Sequence, residues 1–410
     1  MQNREQKWLL IGAAALVLAG CSDSVAGPSD QPPEDTTPVL RYPVTLTETG
    51  AGVVGERYTS EVAERGGWAY TATWGVRGGT VAGDVVKIWN VNGAVTLADS
   101  LIISGARTTG DVQISPDGTL LMVATEFAPG SIVLFDRSNP ARPVEIARFT
   151  SVDTQPGVHT AKFGVVGGHL YAFLSVDPTG SVPAKLVIVD LANPGQPQQV
   201  FAQVMGRPFV HDVFVRDGLL FTALWDDGLS IWDIGGGGAG GSPAAPLLLG
   251  NVKTATGDIH NVWWFQDQKT GSKQYVLLGE EGPGSVGTAA SGDIHVINIS
   301  DVRHPHEVAA YGVPGAGTHN FWADETNGFL YAAYYNAGVR VLDVRGNLGT
   351  CTTAEKTVSG LCDLRLMGRE AGTGLDTGHY VWGVVHEGST LYASDMLLGL
   401  IRLDASGLTR

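Results

Sequence analysis

Residues 229–233 read Leu-Ser-Ile-Trp-Asp, and a phrase of that kind, a short aliphatic run closed by Asp or Asn, occurs seven times in the chain. The other copies are Val86–Asn90 (VKIWN), Ile132–Asp136 (IVLFD), Leu186–Asp190 (LVIVD), Ile294–Asn298 (IHVIN), Val339–Asp343 (VRVLD) and Leu400–Asp404 (LIRLD). Successive closing residues lie 46, 54, 43, 65, 45 and 61 apart. The shortest interval suits a propeller blade of about 40–50 residues, and the longer ones carry visible inserts. Residues 211–250 show the unit most clearly. His211–Val215 reads as a strand, Arg216-Asp217-Gly218 as a turn, Leu219–Trp225 as a second strand and Asp226-Asp227-Gly228 as a tight turn. Leu229–Ile234 is a third strand, and a glycine-rich connection (235–241), expected to be flexible, leads to a fourth at Leu247–Leu249. Four antiparallel strands with a two-residue apolar period cannot bury both faces alone. Packing each sheet on its neighbours around an axis does so. The expectation is an all-β protein, a seven-bladed β-propeller of four-stranded antiparallel blades over residues 41–410, with residues 41–58 supplying an outer strand that completes the seventh blade. A two-sheet sandwich is the alternative, disfavoured by length and repeat number.

At Leu186–Asp190 the chain resembles the LVIVD-repeat family of bacterial and archaeal cell-surface proteins, literally there and more loosely in the other six units. The likeness covers about residues 60–404. It implies a β-propeller at the cell surface and brings no activity or catalytic residue with it.

Composition narrows the function classes. Only 16% of the 410 residues are charged and 43% are hydrophobic, which excludes a disordered chain. A net charge of −15 argues against a sequence-independent nucleic-acid binder, which needs a basic surface to neutralise phosphates. At the N-terminus, Arg4 and Lys7 precede an apolar run, Leu9–Ala19, too short to span a bilayer but suited to a signal peptide over residues 1–20. Leu18-Ala19-Gly20-Cys21 resembles the lipobox of bacterial lipoproteins, which implies lipidation of Cys21. A plain signal peptide with an incidental Cys is the other reading. Residues 21–40 form a Pro-, Ser- and Asp-rich tether. The expected address is the cell envelope, outer membrane or surface, with the membrane reached through the lipid. Cys351 and Cys362 lie 11 apart in a polar insert, and one local disulfide is the simplest expectation in an oxidising compartment.

Aligning the units on their first strand gives Ser60, Gly110, His159, His211, His260, His319 and His379, with a polar residue next in most units. The second strand ends in an acid or amide: Glu126, Asp177, Asp226 with Asp227, Glu280 with Glu281, and Asn336, while in the last unit Asp395 stands two residues early on the same side of its strand. In an antiparallel blade the start of strand one and the end of strand two share one face of the disc. The register therefore gathers imidazoles and carboxylates at one channel mouth, a donor set suited to a divalent transition metal. The competing reading is structural: in WD40 propellers a repeat-opening His bonds within its own blade and ties strands. Three functions follow: a lipid-anchored binding or scaffold module for a protein, glycan or small ligand, a copper- or zinc-type enzyme at the His mouth, or a structural envelope protein with no small ligand. The chain is expected to be a monomer. Cys21→Ser should move the protein from the membrane to the soluble fraction, and a variant that stays with membranes rules the lipid tether out.

Overall fold

The computed structural model describes residues 43–408 apart from residue 283. The expected signal peptide, tether and Cys21 lie outside the described residues. Seven small, mainly antiparallel sheets, each with four strands in blade order, account for nearly all the regular structure. The innermost strands are Tyr58–Glu64, Thr108–Ile114, Val158–Val166, Asp212–Arg216, Ile259–Trp264, Phe321–Asp324 and Val381–Glu387, of blades one to seven in order. Each packs against the next, and the seventh packs against the first, so the sheets close into a ring. A channel cavity of about 320 Å³ is lined by the inner strands of all seven blades.

The closing letter of the repeated phrase has a single local cause. In every blade the side-chain oxygen of that Asp or Asn accepts the N–H two residues on: Asn90 from Asn92, Asp136 from Ser138, Asp190 from Ala192, Asp233 from Gly235, Asn298 from Ser300, Asp343 from Arg345 and Asp404 from Ser406, at 2.7–3.2 Å. This Asx turn ends the third strand and starts the reversal into the outer strand.

The aliphatic letters of the phrase face the gaps between blades, where seven apolar clusters form, one for each neighbouring pair. Val62 and Trp89 of blade one pack with Val385 and Leu400 of blade seven; Tyr331 of blade six packs with Ile401 and Leu403 of blade seven. Each fully buried side chain of this kind contributes about 1.5–3 kcal/mol. No blade buries its faces without both neighbours.

Closure uses the N-terminal segment. Thr47–Val53 is the outer strand of blade seven, antiparallel to Gly399–Asp404, with Thr47 opposite Asp404 and Val53 opposite Gly399. Just before it, Val44–Thr45 runs parallel to Gly372 and Thr373 on the outer edge of blade six. The edge of blade five is covered in the same way. Cys362–Asp363 pairs in parallel with Ala309 and Ala310, and the disulfide Cys351–Cys362 closes that insert on itself. Two outer edges are thus hidden from further strand addition.

The glycine-rich connection in blade four differs from the flexible link expected. It winds around one carboxylate. Asp233 Oδ1 accepts the N–H groups of Gly235 and Gly237, and Oδ2 those of Ala239 and Gly241, at 2.7–3.2 Å. A Cβ on Gly241 would lie 2.0 Å from the Asp233 carbonyl oxygen, so glycine is required there. Burial would push the Asp233 carboxyl up, but these four donors hold it well below its ordinary value of 3.8. A depressed native pKa adds stability above the unfolded-state value that is lost as pH falls below about 4. Asp233→Asn should therefore cost about 1–2 kcal/mol at neutral pH. In denaturant titrations at pH 7 and pH 3 the gap from the parent should narrow on acidification.

Candidate functional site

Four of the five register histidines meet at one mouth of the channel. Ring centroids are 4.1 Å apart for His159–His211, 3.9 Å for His211–His260 and 4.0 Å for His260–His319. The arc continues with Trp382, 4.1 Å from His319, and Trp74, 5.9 Å from Trp382. A shared backbone device aims several of these side chains. In blades three, five and seven the pairing of strands one and two slips by one residue at Val158/Thr160, Ile259/Asn261 and Val381/Gly383. The residue in the slip is His159, His260 or Trp382. A β-bulge of this kind turns one side chain out of the alternation, here into the channel mouth. In blade two the corresponding residue is Gly110, and a Cβ there would lie 2.0 Å from Glu126 Oε1. A carboxylate from the second strand thus fills the place that an imidazole holds elsewhere.

His379 does not join the arc. It stands three residues before Trp382, which holds the bulge position of blade seven, and its Nδ1 is 2.9 Å from Asp395 Oδ2. Asp395 also accepts the N–H groups of Tyr380, Leu397 and Leu398, so it staples its own turn. Glu280 is bonded to His295 Nε2 (3.2 Å) and Thr256 Oγ1 (3.0 Å), outside the arc, and the next residue, Glu281, faces the histidines instead. Asp226 is exposed in the turn that follows the second strand of blade four and lines neither recess at this mouth. Glu126, His159 and Asp177 come together: His159 Nδ1 is 3.3 Å from Asp177 Oδ1 and 3.8 Å from Glu126 Oε1. His211, His260 and Glu281 form a second trio, whose candidate ligand atoms all lie within 4.8 Å of one another.

The histidines differ in their bonding. His159 is tied within its own blade by Asp177. His319 Nδ1–H donates to the Trp382 carbonyl of the next blade at 2.7 Å. His211 Nδ1 and both ring nitrogens of His260 are buried without a hydrogen-bond partner. Burial, aided by the neighbouring imidazoles, holds His211 and His260 well below the ordinary histidine value, so both are neutral at pH 7. Burial would also lower His159, but Asp177 and Glu126 lift it to about 10, so that ring is the cation of the group. Burial, opposed by His159 and aided by Asp177, raises Glu126 to about 7.

The mouth encloses about 170 Å³ between the imidazoles, Glu281, Trp74, Tyr335, Tyr380, Trp382 and Met396. A neighbouring recess of about 440 Å³ shares His159, His211 and Glu281 and adds Phe127 and Trp225. The insert after Glu281 packs over this mouth. Gly284 and Val286 line the cavity, and Ala290 is buried against Tyr335, Tyr380, Trp382 and Met396. Phe127, Trp225 and Tyr335 all have positive φ (63°, 55° and 37°), a conformation that is costly for bulky side chains and that gathers at ligand sites. The aromatic wall was not legible as a site in the sequence, because tryptophans and tyrosines in a β repeat read first as blade packing. The one available signal is the β-branched residue before the bulge, in Val158-His159, Ile259-His260 and Val381-Trp382.

One residue deeper, a second tier of side chains ties blades two to three, three to four, five to six and six to one. Asp111 Oδ2 accepts from Ala161 N (2.9 Å), Thr160 Oγ1 donates to His211 O (2.7 Å) and Asn261 Nδ2 donates to His319 O (2.5 Å). Asn320 Nδ2 donates to the Glu61 carboxylate, and Gly383 leaves room for that carboxylate where a Cβ would lie 2.4 Å from Oε1. Lys162 stands among Asp212, Asp111 and Glu61, with its Nζ 3.8 Å from Asp212 Oδ1.

A seven-bladed β-propeller with a histidine-lined channel mouth is the class of protein these features define. Residues 209–254, which make up blade four, match the LVIVD repeat. The literal string at Leu186–Asp190 lies one blade earlier. No curated protein matches the chain.

Lys162 is the cation that faces the Glu61, Asp111 and Asp212 carboxylates among the described residues. Burial raises Glu61, opposed by Lys162 and aided by Asp111. The stability linked to its proton is complete below its ordinary value of 4.5 and is lost as pH rises toward neutrality. Lys162→Met should therefore lower stability by about 2 kcal/mol at pH 8 and by clearly less at pH 5. Glu61→Gln should gain on the parent over the same rise in pH. Thermal melts of the two variants at both pH values check the signs.

Proposed function

We propose that the protein is a lipid-anchored binding module of the cell envelope, held to the membrane through Cys21, whose histidine mouth takes up a small ligand. The propeller with its LVIVD repeat supports the binding module. The observation that carries the ligand is His260, which is 2% exposed, lines the mouth cavity and has both ring nitrogens without a partner. A buried polar group left in this way costs about 1–3 kcal/mol, and a bound group that satisfies it recovers that cost. The cavity size fits an ion with its water or a compact polar molecule, and the adjoining recess offers room for a longer one. The aromatic wall of Trp74, Tyr335, Tyr380 and Trp382 would stack on a planar or apolar part of such a ligand. A disc face built from loops also suits a protein or glycan partner beside the mouth.

Native mass spectrometry of the protein purified under non-denaturing conditions from its own membranes should show an adduct of defined mass. Trp382→Ala should lose it, and His304→Ala, on an exposed turn, should keep it. A parent protein that carries no adduct, and whose melting temperature does not respond to small-molecule extract of the same membranes, would refute the binding reading.

A further inference from the structure

We infer that His211, His260 and Glu281 form a site for a divalent transition-metal ion of the zinc or copper class, with one coordination position open to the mouth cavity. This inference rests on the binding reading above and names the ligand class for the same mouth.

The geometry of the trio carries it. His260 Nε2 and Glu281 Oε2 are 3.5 Å apart, and His260 has no hydrogen bond at either nitrogen. Two ligand atoms about 2.0–2.1 Å from a tetrahedral ion stand roughly 3.3 Å from each other. The pair is therefore spaced as ligands across a metal rather than as a bonded couple. A ring nitrogen of His211 completes a set of three within 4.8 Å. Two imidazoles and one carboxylate are the donors of open, three-ligand zinc sites, and imidazole also suits copper.

The surroundings hold the donors in place. The Tyr335 hydroxyl donates to Glu281 Oε1 and leaves Oε2 toward His260. The Glu281 N–H donates to the Asp258 carbonyl at 2.9 Å, which anchors the backbone at the ligand. Such outer partners orient metal ligands and set their basicity. His319 lines the same cavity with its Nδ1 proton committed to the Trp382 carbonyl, which leaves the lone pair on its other nitrogen. The other trio, Glu126, His159 and Asp177, offers one imidazole and two carboxylates, a donor set less suited to zinc or copper than two imidazoles and one carboxylate.

The test uses the chain from residue 22, since the ring closes within residues 44–404. Equilibrium dialysis against Zn²⁺ and against Cu²⁺ should load one equivalent per chain. Co²⁺ as a spectroscopic probe should give the intense visible bands of a four-coordinate site. Glu281→Gln and His260→Gln should each weaken uptake by at least about tenfold, with unchanged circular dichroism. His379→Gln, whose ring is paired with Asp395, should bind as the parent does. Sub-stoichiometric uptake by the parent, or uptake unaltered in folded Glu281→Gln and His211→Gln, overturns the site. An organic adduct retained at the mouth without any metal uptake overturns the metal and leaves the binding reading standing; loss of both removes both.

Discussion

Every inner strand of this ring is the edge of its own sheet, and an edge exposes backbone groups that its sheet cannot pair. The fold answers this with side chains from the neighbouring blade. Asp111 serves the N–H of Ala161, Thr160 the carbonyl of His211, Asn261 the carbonyl of His319, and His319 the carbonyl of Trp382. These bonds are made between blades at the narrowest radius, where the apolar clusters of the blade faces give way to the channel. They set the spacing of the inner strands and so decide which side chains become neighbours around the axis.

That constraint separates two tiers that look alike in the sequence. Adjacent polar residues at the start of each first strand point to opposite sides of the strand or into a bulge, and only one of each pair is needed for the tie between blades. In blades two, three and five the tie falls to the second residue, which in blades three and five releases the first, His159 and His260, to face the mouth. His260 illustrates the division. Its neighbour Asn261 bonds to blade six, while its own nitrogens bond to nothing. Blade six breaks the pattern: His319 itself makes the tie, and Asn320 reaches past blade seven to Glu61 of blade one. Blade seven answers with Gly383, whose missing side chain is the space that Glu61 fills.

The ring was legible in the sequence because its signal is local and repeated. An aliphatic alternation closed by an Asx turn needs no distant partner to be recognised, and the same turn is present in all seven blades. The gathering of His159, His211, His260 and His319 followed from strand register alone. His379 and Trp382 show where register reading stops. A bulge adds a residue with no more than a β-branched neighbour to mark it, so register alone assigns the mouth position of blade seven to His379 rather than to Trp382, three residues on. Glu280 and Glu281 differ for a related reason. At the end of a strand the alternation that assigns a face has run out, and the hydrogen bonds to His295 and Thr256 turn Glu280 outward. The coil around Asp233 was hidden because seven small residues in a row read as slack until the carboxylate they enclose is seen.

The mouth is where local preferences are set aside together. Phe127, Trp225 and Tyr335 take a left-handed backbone that bulky residues avoid, and a histidine is buried with neither nitrogen satisfied. Trp225 and Tyr335 also bridge to Ile259 and Val381 of the next blade through their backbones, whereas the ring nitrogens of His260 serve no such tie and lie outside the apolar clusters between the sheets. Each departure costs stability of the order of 1–3 kcal/mol, and all of them line one pair of adjoining recesses. The ties between blades account for His319, which bonds to the Trp382 carbonyl, but not for the partnerless nitrogens of His211 and His260. Their presence at the axis makes sense when the mouth is read as a place that something else completes.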